Sequence, residues 1–397
     1  MFLSLVYLVL QEPDRTHLPK PSKSVILVPK LVPFQEPFLK VPKGYSVNLF
    51  AEGLKAVRMI AVAPNDDVFV VQTRIEVKDP HLPHQVTVLW DANHDGVAEG
   101  RSVWSDKLNL PFGIQFAYGH LYVSNTGSIV RWPYTSGERT AKNDPEMILD
   151  GIPQNGYRNH WTRNILFDEP ANTLYLTIGS EENVKVEGDR RAVIERYKIT
   201  PDGTIDGERT LLARGMRNPV GIAFEPRTHQ LYANVIERDY MGDNLPPDFT
   251  TSISLGDHYG WPYYYIGNHR DARIKEEPPA EIIPKVPDFI LPAHVSPIDI
   301  KFVDSPMFPE YKGDAFVSLH GTQNRSRLDG YKILRLKFDS KGKPTGKYED
   351  FITGWLPSHS NKEIYGRPAG MAFLHDGSLL IADDWGGRIW RVSQDKK

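Results

Sequence analysis

Cysteine is absent from the 397 residues. That excludes disulfides, thiolate metal sites, a cysteine nucleophile and the Cys-x-x-Cys-His attachment of a c-type haem, while saying little about compartment. Long stretches of helical periodicity are also hard to find; short apolar runs alternate with period two, which reads as an all-β chain. The apolar run at residues 1–10 (MFLSLVYLVL) is too short to span a bilayer as a helix, so no stable membrane insertion is expected. No basic residue precedes it and no small-residue cleavage site follows it, so it reads evenly as an atypical signal core or as a strand or tail. A net charge of -3 and the lack of a basic stripe argue against nucleic acid. An anionic ligand therefore needs a local cluster of cations.

What is present is a repeat. Pro111-Phe112-Gly113-Ile114-Gln115-Phe116 returns as Pro219-Val220-Gly221-Ile222-Ala223-Phe224 and as Pro368-Ala369-Gly370-Met371-Ala372-Phe373. Degenerate copies begin at Val57, Thr162 and Pro297, and a second short apolar strand follows each copy, as at Leu121-Tyr122-Val123. Six units predict a six-bladed β-propeller with long inter-strand loops, whose equivalent positions converge at one end of a channel. Residues 1–44, rich in Pro and Lys from residue 11, read as a leader and extended arm; the ring occupies 45–397. A strand at 47–50 is expected to complete the last blade and close the ring, removing exposed sheet edges. The glycine of each motif is expected to keep the crowded side of the innermost strand small. The longest surplus falls within 238–292 and 324–366 and is expected in long loops, where function usually sits.

Two residues before each motif stand Lys55, Asn109, His160, Arg217, Val295 and Gly366, with Asn218, Arg163 and Arg367 adjacent. Blade packing does not require the polar ones. Grouped at a rim they make a cationic cup holding one imidazole, the side chain best suited to take a proton near neutral pH. His294 and His320 lie near equivalent rims; His81, His84, His229 and His375 sit in turn-like segments and are expected in solvent. Asp91-Ala92-Asn93-His94-Asp95-Gly96 resembles the start of a calcium loop, but Ser102 stands where the closing Glu belongs, so a hairpin tip is the favoured reading. The acidic segment 237–248 offers oxygen-rich backbone beside the cup, a plausible place for a hard metal. Trp261, Tyr263, Tyr264 and Tyr265 serve equally as pyranose-stacking faces or as packing.

These residues bring a family into view. Asn159-His160-Trp161-Thr162-Arg163, Arg217-Asn218-Pro219 with Tyr259-Gly260-Trp261-Pro262 downstream, and Gly366-Arg367-Pro368 with Asp383-Asp384 are similar to the pyrroloquinoline quinone (PQQ) dependent sugar dehydrogenases. His320-Gly321-Thr322-Gln323-Asn324-Arg325-Ser326 most resembles the sorbosone dehydrogenase-like branch. The resemblance spans about 45–393 and implies a quinoprotein that oxidises an aldose or sugar aldehyde by hydride transfer to PQQ. It implies His160 as general base and Arg217 as the group stabilising charge on the quinone oxygen. Asn218, Arg325, Arg367, Asp384 and Arg163 would line the cofactor, and calcium would sit on backbone carbonyls of Glu237, Arg238 and Asp239. Without a haem motif, electrons pass to an external acceptor. The resemblance also implies a periplasmic or secreted protein. Two departures stand out: no counterpart of a second calcium pair, and Gln323 where the sorbosone-type motif is often aromatic.

Two other readings compete. A propeller can bind carbohydrate or protein without redox chemistry, and a lactonase-type propeller would hold calcium in its channel with Asp, Asn and Glu. The rim is richer in Arg than in carboxylates, which disfavours the lactonase.

Overall fold

The computed structural model describes residues 17–34, 38–73, 82–154, 160–322, 324–359 and 362–395. The leader at 1–10, His81, Asn159 and Gln323 lie outside them. Among the described residues the only helical turn is a 3-10 turn at Pro309–Tyr311, and the rest of the regular structure is β. Among the described residues no helix is long and apolar enough to cross a membrane.

Six antiparallel sheets follow one another around a ring. Their innermost strands are Val57–Val62, Ile114–Ala117, Ile165–Asp168, Asn218–Phe224, Pro297–Phe302 and Pro368–Phe373, taken here as blades one to six. Each innermost strand packs against the next, and the sixth packs against the first, so the ring is closed. The expected closure strand is there: Tyr45–Ala51 pairs antiparallel with Arg388–Gln394 as the outer edge of blade six. The third blade carries an addition, because Asp257–His258 joins its outer strand in parallel.

The motif glycines earn their place between blades. A Cβ on Gly113 would lie 2.7 Å from Ile165 N and 3.0 Å from Arg163 O; on Gly221, 2.9 Å from Asp299 Cα; on Gly370, 2.4 Å from Arg58 O. Blades two, four and six thus lay a bare backbone directly on the following blade. In blades three and five the same position holds Asn164 and Asp299, both buried. Their side chains reach forward instead. Asn164 Nδ2 donates to Val220 O at 2.9 Å, and Met371 N donates to Asp299 Oδ2 at 2.8 Å. Glycine contact and side-chain hydrogen bond therefore alternate around the ring, with Met59 holding the position in blade one.

Ladder register slips at the start of the innermost strands of blades one, four, five and six. Such bulges bend the strand and re-aim the residues at its entrance. Two loop sets meet at that end: those entering each innermost strand and those between each blade's second and third strands. The arm is bound along the same face. Ser22 N donates to Met241 O (2.9 Å), and Val32 N to Ile364 O (3.0 Å). Phe34 and Phe38 pack on Tyr365 and Trp390.

Gly370→Val places methyl groups inside the backbone of Arg58 and Met59. It is expected to cost about 3 kcal/mol by overpacking, read as a fall in the denaturant midpoint. Val at exposed Gly119, where nothing lies within 4 Å of a Cβ, carries only the cost of its positive φ.

Candidate active site at the channel mouth

His160 and Arg217 enter blades three and four side by side, each buried. His160 Nδ1 lies 3.1 Å from Ser180 O and 2.9 Å from Ser180 Oγ. The carbonyl can only accept, and Ser180 Oγ spends its proton on Glu182 O at 2.7 Å. Nδ1 must therefore carry the hydrogen, which leaves the lone pair of a neutral imidazole on Nε2. Burial, followed by the nearby Arg217 guanidinium, holds the His160 pKa well below the usual histidine value. Gly179 makes room for this packing: a Cβ there would sit 2.3 Å from Asn218 Oδ1 and 3.0 Å from His160 Cβ.

Arg217 is held at both ends of its fork. Nη1 donates to Glu237 O (2.7 Å); Nη2 donates to Asn183 Oδ1 (2.9 Å) and Asp239 Oδ2 (3.0 Å). The other oxygen of Asp239 accepts from Asn324 Nδ2 (3.0 Å), which ties the fourth blade's loop to the fifth. His294 donates from Nε2 to Gly242 O in the same loop at 3.0 Å.

A second cluster faces the mouth from blades one, five and six. Arg58 Nη1 donates to Asp384 Oδ2 at 3.0 Å, and His320 Nε2 lies 3.0 Å from the same oxygen and 3.2 Å from Arg58 Nη1. The Arg58 guanidinium also lies over Phe112 (5.7 Å) and Trp161 (5.6 Å). Arg367 donates to the carbonyls of His320 and Gly321, both at 2.9 Å, and stands 5.0 Å over the Trp385 ring. Burial and the positive charge of Arg367 keep His320 well below the usual histidine value.

The TrAA12-like family profile matches residues 39–245 and 259–395. The chain belongs to the TrAA12-like family. An uncharacterized protein of Borreliella burgdorferi is 32% identical over 90% of this chain and 91% of its own. The PQQ-dependent pyranose dehydrogenase of Coprinopsis cinerea is 23% identical over 90% of this chain, which spans 54% of that enzyme's length. Among solved structures, the calcium structure of the Trichoderma reesei carbohydrate-active enzyme of family AA12 superposes with a TM-score of 0.76 at 18% identity, covering 92% of this chain and 99% of that one.

In this TrAA12-like ring, six of the residues singled out from sequence gather at the mouth: His160, Arg217, Asn218, Arg367, Asp384 and, through its carboxylate, Asp239. Arg163 turns away. It is fully buried, donates to the carbonyls of Pro153, His160 and Thr162, and is pulled down to about 9 by burial and by Arg191. Arg325 lies on the flank of the fifth blade's loop, bonded to Ala293 O and paired with Asp329 at 3.5 Å. Arg238 is a buried strut between Glu237 and Asp271, with Pro262 O and Tyr264 O as further acceptors. The expected metal carbonyls are already engaged: Glu237 O by Arg217, and Asp239 O by Asn183 (3.2 Å) and Arg273 (2.8 Å). Lys55 and Asn109 are exposed, while Val295 is core. The aromatic run resolves toward packing, since Tyr263, Tyr264 and Tyr265 are covered by Arg270 and Arg238. At 91–96 the acidic side chains cap the tip's own N–H groups, as in Gly96 N to Asp91 Oδ2 (2.8 Å). His229 and His375 are exposed, but His84 is half-buried and bonded to Thr73 Oγ1 at 2.7 Å. Arg58, Ser180, Asn183 and Asn324 were not singled out. For Arg58 a signal existed: an arginine within the otherwise apolar strand Val57–Val62.

Below pH 6.5 the unfolded chain protonates His160 and His320 while the folded chain refuses the proton, so these two groups withdraw stability as pH drops. Buried Asp248, which burial raises to about 7, contributes with the opposite sign. His320→Gln is therefore expected to raise the urea midpoint at pH 5.0 relative to that at pH 7.5, compared with the wild type.

Proposed function

We propose that this protein is a PQQ-dependent sugar dehydrogenase oxidising an aldose or sugar aldehyde and passing electrons to a separate acceptor. The observation that carries the reading is the neutral, buried His160 fixed by Ser180 beside the Arg217 guanidinium. Relatives whose names include PQQ support it.

The residues suit a planar quinone with three carboxylates. Arg58, Arg217 and Arg367 supply fixed cations from three blades, and guanidinium forks recognise carboxylates. Buried Arg58 Nε has no hydrogen-bond partner among the described residues and is a donor in reserve. Trp161 and Trp385 stack under the Arg58 and Arg367 guanidinium groups and help to fix them. For calcium, no three His, Asp or Glu side chains converge among the described residues. The protein would contribute carbonyl and amide oxygens instead: the second lone pair of Glu237 O, with Asn218 Oδ1 and Asn324 Oδ1, both buried and unmatched by a donor among the described residues.

PQQ, when bound, supplies the two-electron acceptor for the hydride of the sugar carbon. The chain does the rest. His160 Nε2 takes the hydroxyl proton, and its low pKa keeps it ready to do so in mild acid. Ser180 fixes the ring and tautomer. Arg217, clamped by Asp239 and Glu237 O, presents positive charge where oxygen gains electrons. Asp384 holds Arg58 and His320 against the opposite wall.

Purified protein titrated with PQQ and calcium is expected to gain a quinone absorbance and to reduce an artificial dye with an aldose. A chelator arm tests the calcium. His160→Ala is expected to keep PQQ binding and lose about 10²–10⁴ in turnover; turnover at the wild-type rate would overturn the base. Arg217→Lys, which loses the bidentate clamp, is expected to lose about 10²–10³.

A further inference from the structure

Residues 17–34 (HLPKPSKSVILVPKLVPF) contain no Asp or Glu and carry Lys20, Lys23 and Lys30, all exposed, in a chain whose net charge is -3. This strap is not a loose tail. It is stitched to the fourth blade's loop by Ser22 N to Met241 O (2.9 Å) and Gly242 N to Ser24 Oγ (2.8 Å). Its other end is stitched to the loop entering blade six, where Lys30–Leu31 pairs in parallel with Glu363–Ile364. Those two loops carry Asp239 and Arg367, so the strap runs beside the channel mouth.

Its side chains divide by face. Leu18, Leu27 and Phe34 pack into the ring's apolar clusters, and Pro29 is buried. Val25, Ile26, Val28 and Leu31 point outward with exposures of 43%, 57%, 60% and 43%. Ile26 and Val28 flank inward-facing Leu27, the alternation of an extended chain with one face on the protein. Four aliphatic side chains left in water beside three lysines, three of them between Lys23 and Lys30, require an explanation beyond ordinary surface composition.

We propose that this strap is a peripheral membrane-docking surface that seats the mouth-bearing face on an anionic bilayer. The chemistry separates a bilayer from a protein partner. Protein interfaces favour aromatic residues and Arg and are depleted in Lys. Exposed aliphatic side chains interleaved with Lys are the composition of segments that lie in the headgroup boundary, with aliphatics reaching the acyl region and lysines meeting anionic headgroups. The complementarity is local, since the strap is uniformly basic although the chain as a whole is acidic. The surface binds reversibly and spans nothing, and it does not depend on the identity of any cofactor.

Flotation of the full chain with vesicles tests it without any activity measurement. The protein is expected to float with vesicles of phosphatidylcholine containing phosphatidylglycerol and to stay behind with phosphatidylcholine alone. Combined Lys20→Glu, Lys23→Glu and Lys30→Glu is expected to lower partitioning about a hundredfold. Combined Val25→Ser, Ile26→Ser and Val28→Ser is expected to lower it at least tenfold. These side chains are exposed, so unchanged thermal unfolding confirms that the variants are folded. Failure of the wild type to float overturns the proposal. So does wild-type flotation of both variants, which would assign binding elsewhere in the chain. Loss on lysine reversal with no effect of the serine substitutions also overturns it, leaving electrostatic adsorption of the lysines without seating of the aliphatic side chains.

Discussion

Everything at the channel mouth depends on how closely adjacent innermost strands can approach. Gly113, Gly221 and Gly370 let one backbone lie on the next, and Asn164 and Asp299 bind across the alternate seams. A ring set at that spacing brings His160, Arg217, Arg367 and Asp384, which are remote in sequence, to one opening. Side chains chosen for chemistry therefore need no long reach, and short links such as Ser180 to His160 suffice to aim them.

The opening is electrostatically one-sided. Arg58, Arg217 and Arg367 are buried; Asp384 faces the first, Asp239 the second, and Arg367 donates to the carbonyls of His320 and Gly321. The gathered guanidinium charge favours an anionic ligand, and Arg217 adds to burial in disfavouring a proton on His160. Anion binding and an unprotonated imidazole thus share a cause. Asp239 joins them physically, because it holds Arg217 while Asn324 anchors its other oxygen to the neighbouring blade.

The six-fold repeat and its closing strand were legible because blade packing imposes a period on apolar residues and glycine. His160, Arg217 and Arg367 were legible because polar residues at the entrance of an apolar motif have no packing purpose, whereas Asp384, just after the strand Leu379–Asp383, was pointed to only by the family resemblance. Register alone does not say where a side chain turns. Arg163 shares the motif position of Arg58, yet folds back on Pro153, His160 and Thr162 carbonyls. Asp239 was expected to offer its carbonyl and instead also works through its carboxylate. Asn183 lies in the loop between the second and third strands of blade three and Asn324 in that of blade five, where no period marks them, and their roles emerge only when the loops of different blades meet.

The sheet that pairs Tyr45–Ala51 with Arg388–Gln394 has a consequence for biosynthesis. Its edge strand is translated before blade one and its partner after the other strands of blade six. Folding can begin from the N-terminal side during synthesis, but this ring cannot seal until Arg388–Gln394 has emerged. During elongation the nascent ring is an arc with two raw ends, and the early strand waits unpaired for its mate. Synthesis rate and chaperone cover, rather than final stability alone, then govern how much of the newly made chain reaches the closed form.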